Sequence, residues 1–322
     1  MPADEEPTAP APTVATPAPP VPAEQVKTLR RFNRYFTRRI GALDDHYLGQ
    51  DRPLGEARLL FEIGGTGASL RELRARLGLD AGYLSRMVRA LERQGLVRVS
   101  VHPGDSRLRI AELTAAGQAE IKEQNRLADA LAAGLLGGLD ARRRTELTRA
   151  LGTAHRLLRL AAITVETVDG ASPDARACLD AYAADIDARF PEGFDPATLV
   201  RPDEVSGEAG AFLVAYEEGR PVGCGALRRL GPGAGEIRHV WVDPGARRLG
   251  LGRRLLDGLE QRAVERGFTV VRLDTHAALV EAQEMYRACG YIEIPRYDDN
   301  VYAAHWFEKR LRGAREGQPP PR

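Results

Sequence analysis

Lysine is nearly missing from this 322-residue chain: Lys27, Lys122 and Lys309 stand against 43 arginines. A G+C-rich genome produces such a bias, so arginine abundance alone argues for no polyanionic partner. Cysteine is also scarce. Cys178, Cys224 and Cys289 are far apart and form no Cys-x-x-Cys pair, so the sequence suggests neither a disulfide framework nor a zinc site, and no metal is expected. No run of about 18 uncharged apolar residues occurs, and no basic start leads into an apolar stretch, so neither a membrane span nor a secretory signal is expected. The expected location is therefore cytoplasmic. The first 22 residues hold eight prolines, and their only charges are Asp4, Glu5 and Glu6. Such a segment cannot bury a core, and residues 1–23 are read as a disordered tail.

The length supports two domains. Charge divides the chain in the same way. Residues 24–162 hold 25 Lys and Arg against 16 Asp and Glu, a net +9, while residues 163–322 hold 21 against 26, a net −5. A near-neutral total of +1 thus conceals a basic first half and an acidic second half. The first half is the candidate for a polyanionic partner.

In the acidic half, an apolar run from Glu236 to Val242 reads as a strand, and Arg253 to Arg266 reads as a helix. Between them lies Arg247-Arg248-Leu249-Gly250-Leu251-Gly252. An Arg-x-x-Gly-x-Gly turn at this junction aims several backbone N–H groups at one point, with the positive helix end behind them, which suits a pyrophosphate. A dinucleotide fingerprint needs a third glycine at position 255, where Leu255 stands, and the Gly-Lys-Ser/Thr of a P-loop is absent. A glycine-softened turn with no ligand remains the plain alternative.

The wider stretch from Glu236 through Asp243-Pro-Gly-Ala-Arg247 to Leu256 resembles the coenzyme-A-binding core of the GNAT superfamily of N-acetyltransferases. Met285-Tyr286-Arg-Ala-Cys-Gly290-Tyr291, about 35 residues further on, resembles the second hallmark of that family. The resemblance covers about 163–311 and implies a mixed α/β sheet with acetyl-CoA as acetyl donor. It implies that the backbone of Val240, Trp241 and Val242 and the turn Arg247, Arg248, Leu249, Gly250, Leu251, Gly252 and Arg253 hold the cofactor, with the Val240 N–H facing the thioester oxygen. Glu236 stands where several members carry a general base, which a lysine-like amine of pKa about 10.4 requires at neutral pH. A solvent-facing strand-end carboxylate is the alternative for Glu236. His239, assigned by strand alternation to the opposite face, is a reserve base and otherwise a packing residue. Tyr286 matches the tyrosine that protonates the leaving thiolate. The segment Tyr297-Asp298-Asp299-Asn300-Val-Tyr302 with His305-Trp306 is a candidate wall for a cationic amine, or else a solvated loop.

In the basic half, Leu29, Phe32, Phe36, Ile40 and Leu43 form one stripe along a long helix. Ser69-Leu-Arg-Glu72 is a capping box opening a helix with Leu70, Leu73 and Leu77 inward. Asp80 caps the next helix, which buries Leu84, Val88 and Leu91 and presents Ala81, Gly82, Tyr83, Ser85, Arg86 and Arg89. Two short helices joined by a tight turn, the second small and polar at its start and basic outside, form a helix-turn-helix suited to a major groove. Val97, Val99 and Val101 then alternate with polar residues, Pro103-Gly104-Asp105 turns the chain, and Arg107 and Arg109 return: a hairpin with a basic tip, suited to a minor groove. With Leu113-Thr114-Ala-Ala-Gly117 following, this order resembles the MarR family of winged-helix regulators, departing at Ser106 where many members carry a basic residue. The resemblance implies a homodimer, paired through its first and last helices, on a pseudo-palindromic double-stranded DNA site. Residues 115–162 read as helix, interrupted near Gly134, Gly137 and Gly138.

The expected fold is thus α+β in two domains: a mostly α winged helix-turn-helix at 24–162 and a mixed α/β GNAT-like sheet at 163–313, with a short tail at 314–322. The expected function is a bifunctional transcriptional regulator and N-acetyltransferase acting on an amine. Two alternatives stand beside it: a DNA-binding regulator whose second domain only senses acetyl-CoA or an amine, and an enzyme whose winged helix serves only dimerisation.

Overall fold

The computed structural model describes residues 20–311 apart from Asp45 and Pro103, with backbone alone at His102 and residues 105–107. The tails read at 1–23 and 314–322 lie outside the described residues, except that 20–23 lead into the first helix. The chain forms two compact units, meeting at Gly138 and Leu139.

The first unit runs α1 (Ala23–Arg39), α2 (Leu54–Ile63), β1 (Ala68–Ser69), α3 (Leu70–Leu77), α4 (Ala81–Arg93), β2 (Val97–His102), β3 (Asp105–Leu113) and α5 (Ala115–Gly137). Its antiparallel sheet has the order β1-β3-β2. Helix α3 begins where the capping box requires: Ser69 Oγ accepts the Glu72 N–H at 3.2 Å while the Glu72 carboxylate accepts the Ser69 N–H at 2.9 Å, together contributing about 1 kcal/mol. Gly78 ends it in the left-handed region, and the Asp80 carboxylate accepts the Tyr83 N–H at 2.8 Å to start α4. Leu73 from α3 and Leu84, Val88 and Leu91 from α4 bury themselves against Leu59, Leu60 and Ile63 of α2, so the two short helices are fixed at their tight turn by one shared core.

The second unit begins with α6 (Ala141–Ala162) and continues β4 (Thr164–Val168), α7 (Pro173–Asp187), β5 (Gly210–Glu217), β6 (Arg220–Gly231), β7 (Ala234–Val242), α8 (Leu251–Glu265), β8 (Val270–Thr275), α9 (Val280–Ala288), β9 (Ile292–Ile294) and β10 (His305–Arg310). The seven strands take the order β4-β5-β6-β7-β8-β10-β9. All neighbours are antiparallel except β7 and β8, which are parallel and paired only at Ala234–Val270, Gly235–Val271 and Glu236–Arg272. One face buries Leu213, Leu227, Ile237, Val271, Leu273 and Phe307 under α8 and α9; the other buries Phe212, Val214, Cys224 and Trp241 under α7.

Two features depart from the sequence reading. The first is the domain boundary expected at 162/163. Helix α6 belongs to the compact second unit because its last turn is fastened there: Arg159 donates to both Glu217 carboxylate oxygens at 2.7 Å and to the Gly245 carbonyl at 3.1 Å, and Arg254 of α8 donates to the carbonyls of Leu160 and Ile163 at 3.0 and 2.7 Å. The second is the strand alternation. Cys224 opposes Trp241 and Ala226 opposes Arg238, so Gly225 faces both His239 and Val240, and His239 takes φ 53°. This β-bulge adds one residue to β7 and turns His239 onto the same face as Glu236.

Gly117 shows how closely the first unit is packed. Its N–H donates to Thr114 Oγ1 at 3.1 Å while that hydroxyl donates to the Gly95 carbonyl at 2.6 Å, and a Cβ on Gly117 would lie 2.1 Å from the Leu96 carbonyl oxygen. Gly117→Ala is expected to destabilise the first unit by about 2 to 3 kcal/mol, as overpacking does, read as a lowered urea midpoint for that unit. An unchanged midpoint would show that α5 can lift away from Leu96 freely.

Candidate functional site

The turn that ends β7 leaves backbone N–H groups without side-chain caps. A short 3-10 turn, Pro244–Ala246, leads to Arg248 at φ 63° and Gly250 at φ 94°, and Gly250 caps α8 with no side-chain hydrogen bond. The first helical N–H groups of α8 have no partner within the helix, and the dipole end stands behind them. Leu249 and Leu251 are buried in the core and offer only backbone; Arg248 and Arg253 are exposed. Arg247 is less free than its sequence position implies, since its guanidinium is held by Asp185 and by the Val242 carbonyl at 3.1 Å. Trp241 donates from Nε1 to the same Asp185 at 3.2 Å, so its side chain braces α7.

Beyond Glu236 the strands β7 and β8 part. Asp243 donates to the Val222 carbonyl at 2.9 Å; by antiparallel alternation Trp241 also turns its backbone toward β6, leaving that of Val240 and Val242 toward the opening. A cleft of about 150 Å³ lies there, lined by residues 237–242, by Asp274, Thr275 and His276 of the β8 end, by Tyr286 of α9 and by parts of α7.

The carboxylate expected to act as base is elsewhere. Glu236 is 0% exposed and does not line the cleft; it accepts from Arg228 Nε at 2.5 Å and from the Tyr297 hydroxyl at 3.0 Å. A buried charge survives only when paired in this way, and the pairing occupies it. Asp274, which the sequence reading did not single out, does line the cleft. Its carboxyl is pushed up to about 7, chiefly by burial and further by Asp298 and Glu236, against the opposing pull of Arg238 and of Asn300, whose amide donates to it at 2.7 Å. A carboxylate poised near neutrality is the form that proton abstraction needs. One carboxylate oxygen each of Glu236, Asp274 and Asp298 lies within 4.8 Å of the others. His239 is a packing residue: Nε2 accepts the Val200 N–H at 3.1 Å, the ring meets Tyr182 edge-on at 4.9 Å, and burial with nearby Arg238 and Arg228 drives it down to about 3, so it stays neutral.

Tyr286 is buried, lines the cleft and makes no side-chain hydrogen bond to the described residues. Burial raises its phenol above the ordinary value, which keeps the proton available to a stronger base. Of the segment expected to form an acceptor wall, Asn300 and Tyr302 do line the cleft. Of the others, Tyr297 binds Glu236, Trp306 donates to Asp298 at 2.9 Å and His305 pairs with Glu293 at 2.7 Å, while Asp299 and Val301 are exposed.

In the first unit, Ala81, Gly82, Tyr83, Arg86 and Arg89 are exposed on α4 and Ser85 is half-buried. Arg86 stacks over the Tyr83 ring at 5.7 Å, and neither Arg86 nor Arg89 makes an ion pair among the described residues. Arg109 is exposed on β3, while the side chain of Arg107 lies outside the described residues.

A family model described as the acetyltransferase (GNAT) family matches residues 177–291, and one described as the MarR family matches 50–108. The chain is 34% identical over 117 residues to an IAA acetyltransferase of Azospirillum brasilense, covering 36% of this chain and 72% of that one. The chain belongs to the GNAT acetyltransferase family. A MarR-family segment precedes the acetyltransferase domain. A mycothiol acetyltransferase of Thermobifida fusca is 34% identical over 128 residues, of whose length the match spans 39%. Among solved structures, an acetyltransferase from Streptococcus agalactiae aligns with 47% of this chain and 99% of its own, at 21% identity and a TM-score of 0.42. Among the described residues no helix is long and apolar enough to cross a membrane.

The parted strands and bare helix end are therefore parts of an N-acetyltransferase domain. Sequence reasoning missed Asp274 because Val-Val-Arg-Leu-Asp-Thr reads as an ordinary strand; the signal available was one carboxylate in an otherwise apolar run near a strand end. Carbon-13 NMR of the Asp274 carboxyl is expected to titrate near pH 7, and Asn300→Ala to move the midpoint upward by removing the hydrogen bond that favours the anion. A midpoint at an ordinary aspartate value would refute the assignment.

Proposed function

We propose that the chain is an acetyl-CoA-dependent N-acetyltransferase acting on an amine and, through its first unit, a dimeric DNA-binding regulator. The observation that carries the enzymatic reading is the parting of β7 from β8 beside the uncapped start of α8. A peptide-like arm fits a strand edge with unpaired N–H and C=O groups, and an anion fits the free amides of residues 250–253. The turn itself favours glycine at both positions: Gly250 adopts φ 94°, and a Cβ on Gly252 would come within 3.1 Å of Met285 Sδ.

Acetyl-CoA supplies an activated acyl group on a sulfur that leaves as thiolate. Asp274, as carboxylate, takes the proton of the acceptor ammonium so that a free amine faces the cleft. The backbone N–H of Val240 is turned toward the opening and can stabilise oxyanion charge as it develops. Tyr286 hands its hydroxyl proton to the released sulfur as the N–C bond forms. Glu236 does not touch the reacting atoms in this reading. It holds Arg228 and Tyr297 in place and, by like-charge repulsion, helps keep Asp274 near neutrality.

For the first unit, the exposed Arg86 and Arg89 support groove contact. Leu29, Phe32 and Phe36 of α1 and Leu151 and Leu158 of α6 are large apolar side chains left open to solvent, which supports pairing of two chains and thus two recognition helices on one site.

Thiol release from acetyl-CoA across an amine panel tests the enzymatic reading. Asp274→Asn is expected to lower kcat/KM by about 100-fold or more and to abolish its rise through pH 7, Tyr286→Phe to lower kcat far more than it raises KM for acetyl-CoA, and Gly250→Asp to remove acetyl-CoA binding in calorimetry. Intact binding without turnover on any amine would favour the sensor reading instead.

Duplex DNA binding by fluorescence anisotropy is expected to weaken on the order of 10³-fold between 50 and 200 mM salt, and roughly tenfold in Arg89→Ala. Binding indifferent to salt would leave the winged helix as a dimerisation platform only.

A further inference from the structure

Three arginines line the cleft, and they are not equivalent. Arg189 is held by Glu281 and Arg247 by Asp185, each through a close carboxylate contact. Arg238 has no such partner. Its side chain is 15% exposed, its carboxylate contact is Glu236 at 3.9 Å, and it makes no side-chain hydrogen bond to the described residues. A largely buried guanidinium that lines a cleft without a close carboxylate partner is suited to binding a carboxylate.

Its position relative to Asp274 narrows the ligand further. The last pair holding β7 to β8 is Glu236–Arg272. Arg238 and Asp274 each stand two residues beyond it, so both project from the same face on opposite lips of the split. A cation and an anion so placed recognise an anion and a cation that are themselves adjacent on one molecule.

The third element is apolar. Phe190 stacks on His276 with centroids 3.9 Å apart, and Phe194 and Tyr302 lie 5.3 Å apart, with Tyr182 edge-on to Phe194 at 5.7 Å. All of these line the cleft. Phe190 and Phe194 come from the irregular segment after α7, which the sequence reading left unassigned. The cleft's 150 Å³ holds on the order of ten waters, room for one small molecule rather than a folded surface.

We propose that the acetyl acceptor is a free α-amino acid with an aromatic or large apolar side chain, its carboxylate on Arg238, its ammonium against Asp274 and its side chain among these rings. The inference rests on the acetyl-transfer reading above and adds the acceptor class to it. In the reaction one ammonium proton passes to Asp274, the freed amine nitrogen forms a bond to the acetyl carbon as the carbon–sulfur bond breaks, the sulfur takes the Tyr286 proton, and the second proton that nitrogen sheds as the amide forms restores the Tyr286 hydroxyl.

Thiol release is measured with phenylalanine and with phenethylamine, which keeps the ring and amine but lacks the carboxylate. The full-length protein is expected to favour phenylalanine at least tenfold in kcat/KM. Arg238→Gln is expected to collapse that ratio at least tenfold, mainly through KM for phenylalanine, and Arg238→Lys to restore part of it. The melting midpoint and acetyl-CoA affinity of each variant, measured alongside, separate lost recognition from lost folding. Preference for phenethylamine, or an unchanged ratio in Arg238→Gln, would overturn the proposal. If acetyl-CoA binds and neither acceptor reacts while other amines do, the acceptor class is wrong and the enzymatic reading stands. If acetyl-CoA does not bind at all, both fall together.

Discussion

Everything in the second unit turns on a parallel strand pair that holds for three residues and then lets go. A sheet interior ordinarily satisfies every backbone N–H and C=O, and leaving one buried and unpaired costs about 1–3 kcal/mol. Here the bulge at His239 and Val240 adds a residue to β7 against β6, sharpens its local twist and sends the rest of the strand away from β8. Strand β8 keeps its other neighbour, pairing with β10 over its full length. The opening therefore leaves backbone groups unpaired on the facing edges of β7 and of β8 beyond Arg272, and the edge of β7 is one that a peptide-like ligand can pair with. The same divergence draws Asp274 and Arg238 apart into the lips of a cleft and leaves Tyr286 at its wall.

Charge follows from that geometry. The cluster of Glu236, Asp274 and Asp298 with Arg228 and Arg238 cannot be neutralised pair by pair. Glu236 takes the close contact with Arg228 and remains closed in. Asp274 is left with burial and two anionic neighbours set against the pull of Arg238 and one amide donor, which together place it near neutrality. The division of labour between two carboxylates thus comes from environment alone.

The sequence made the periodic parts of this molecule legible and the irregular parts not. Capping box, helix-turn-helix core, wing and the strand-helix order of the second unit each follow from local rules, and Ser69, Asp80 and Gly78 act as those rules require. The Gly250 turn was readable because only glycine tolerates its backbone freely. The bulge was not, because histidine is enriched among left-handed residues yet adopts that conformation in only a small minority of its occurrences, and missing it put His239 on the wrong face. Glu236 was assigned a role by resemblance, while its neighbours Arg228 and Tyr297, 8 and 61 positions away, decided its surroundings. The ring wall from Phe190 and Phe194 was invisible for the same reason: it comes from a loop with no period to read.

Helix α6 carries one more consequence. Its final carbonyls are capped by Arg254, on the first turn of α8, and its Arg159 grips the Gly245 carbonyl just ahead of the cradle. The turn before α8 is thus propped from behind by the helix that opens the second unit. The division between the two compact units accordingly falls between Gly138 and Leu139, and a piece starting at residue 163 would inherit the turn without its buttress.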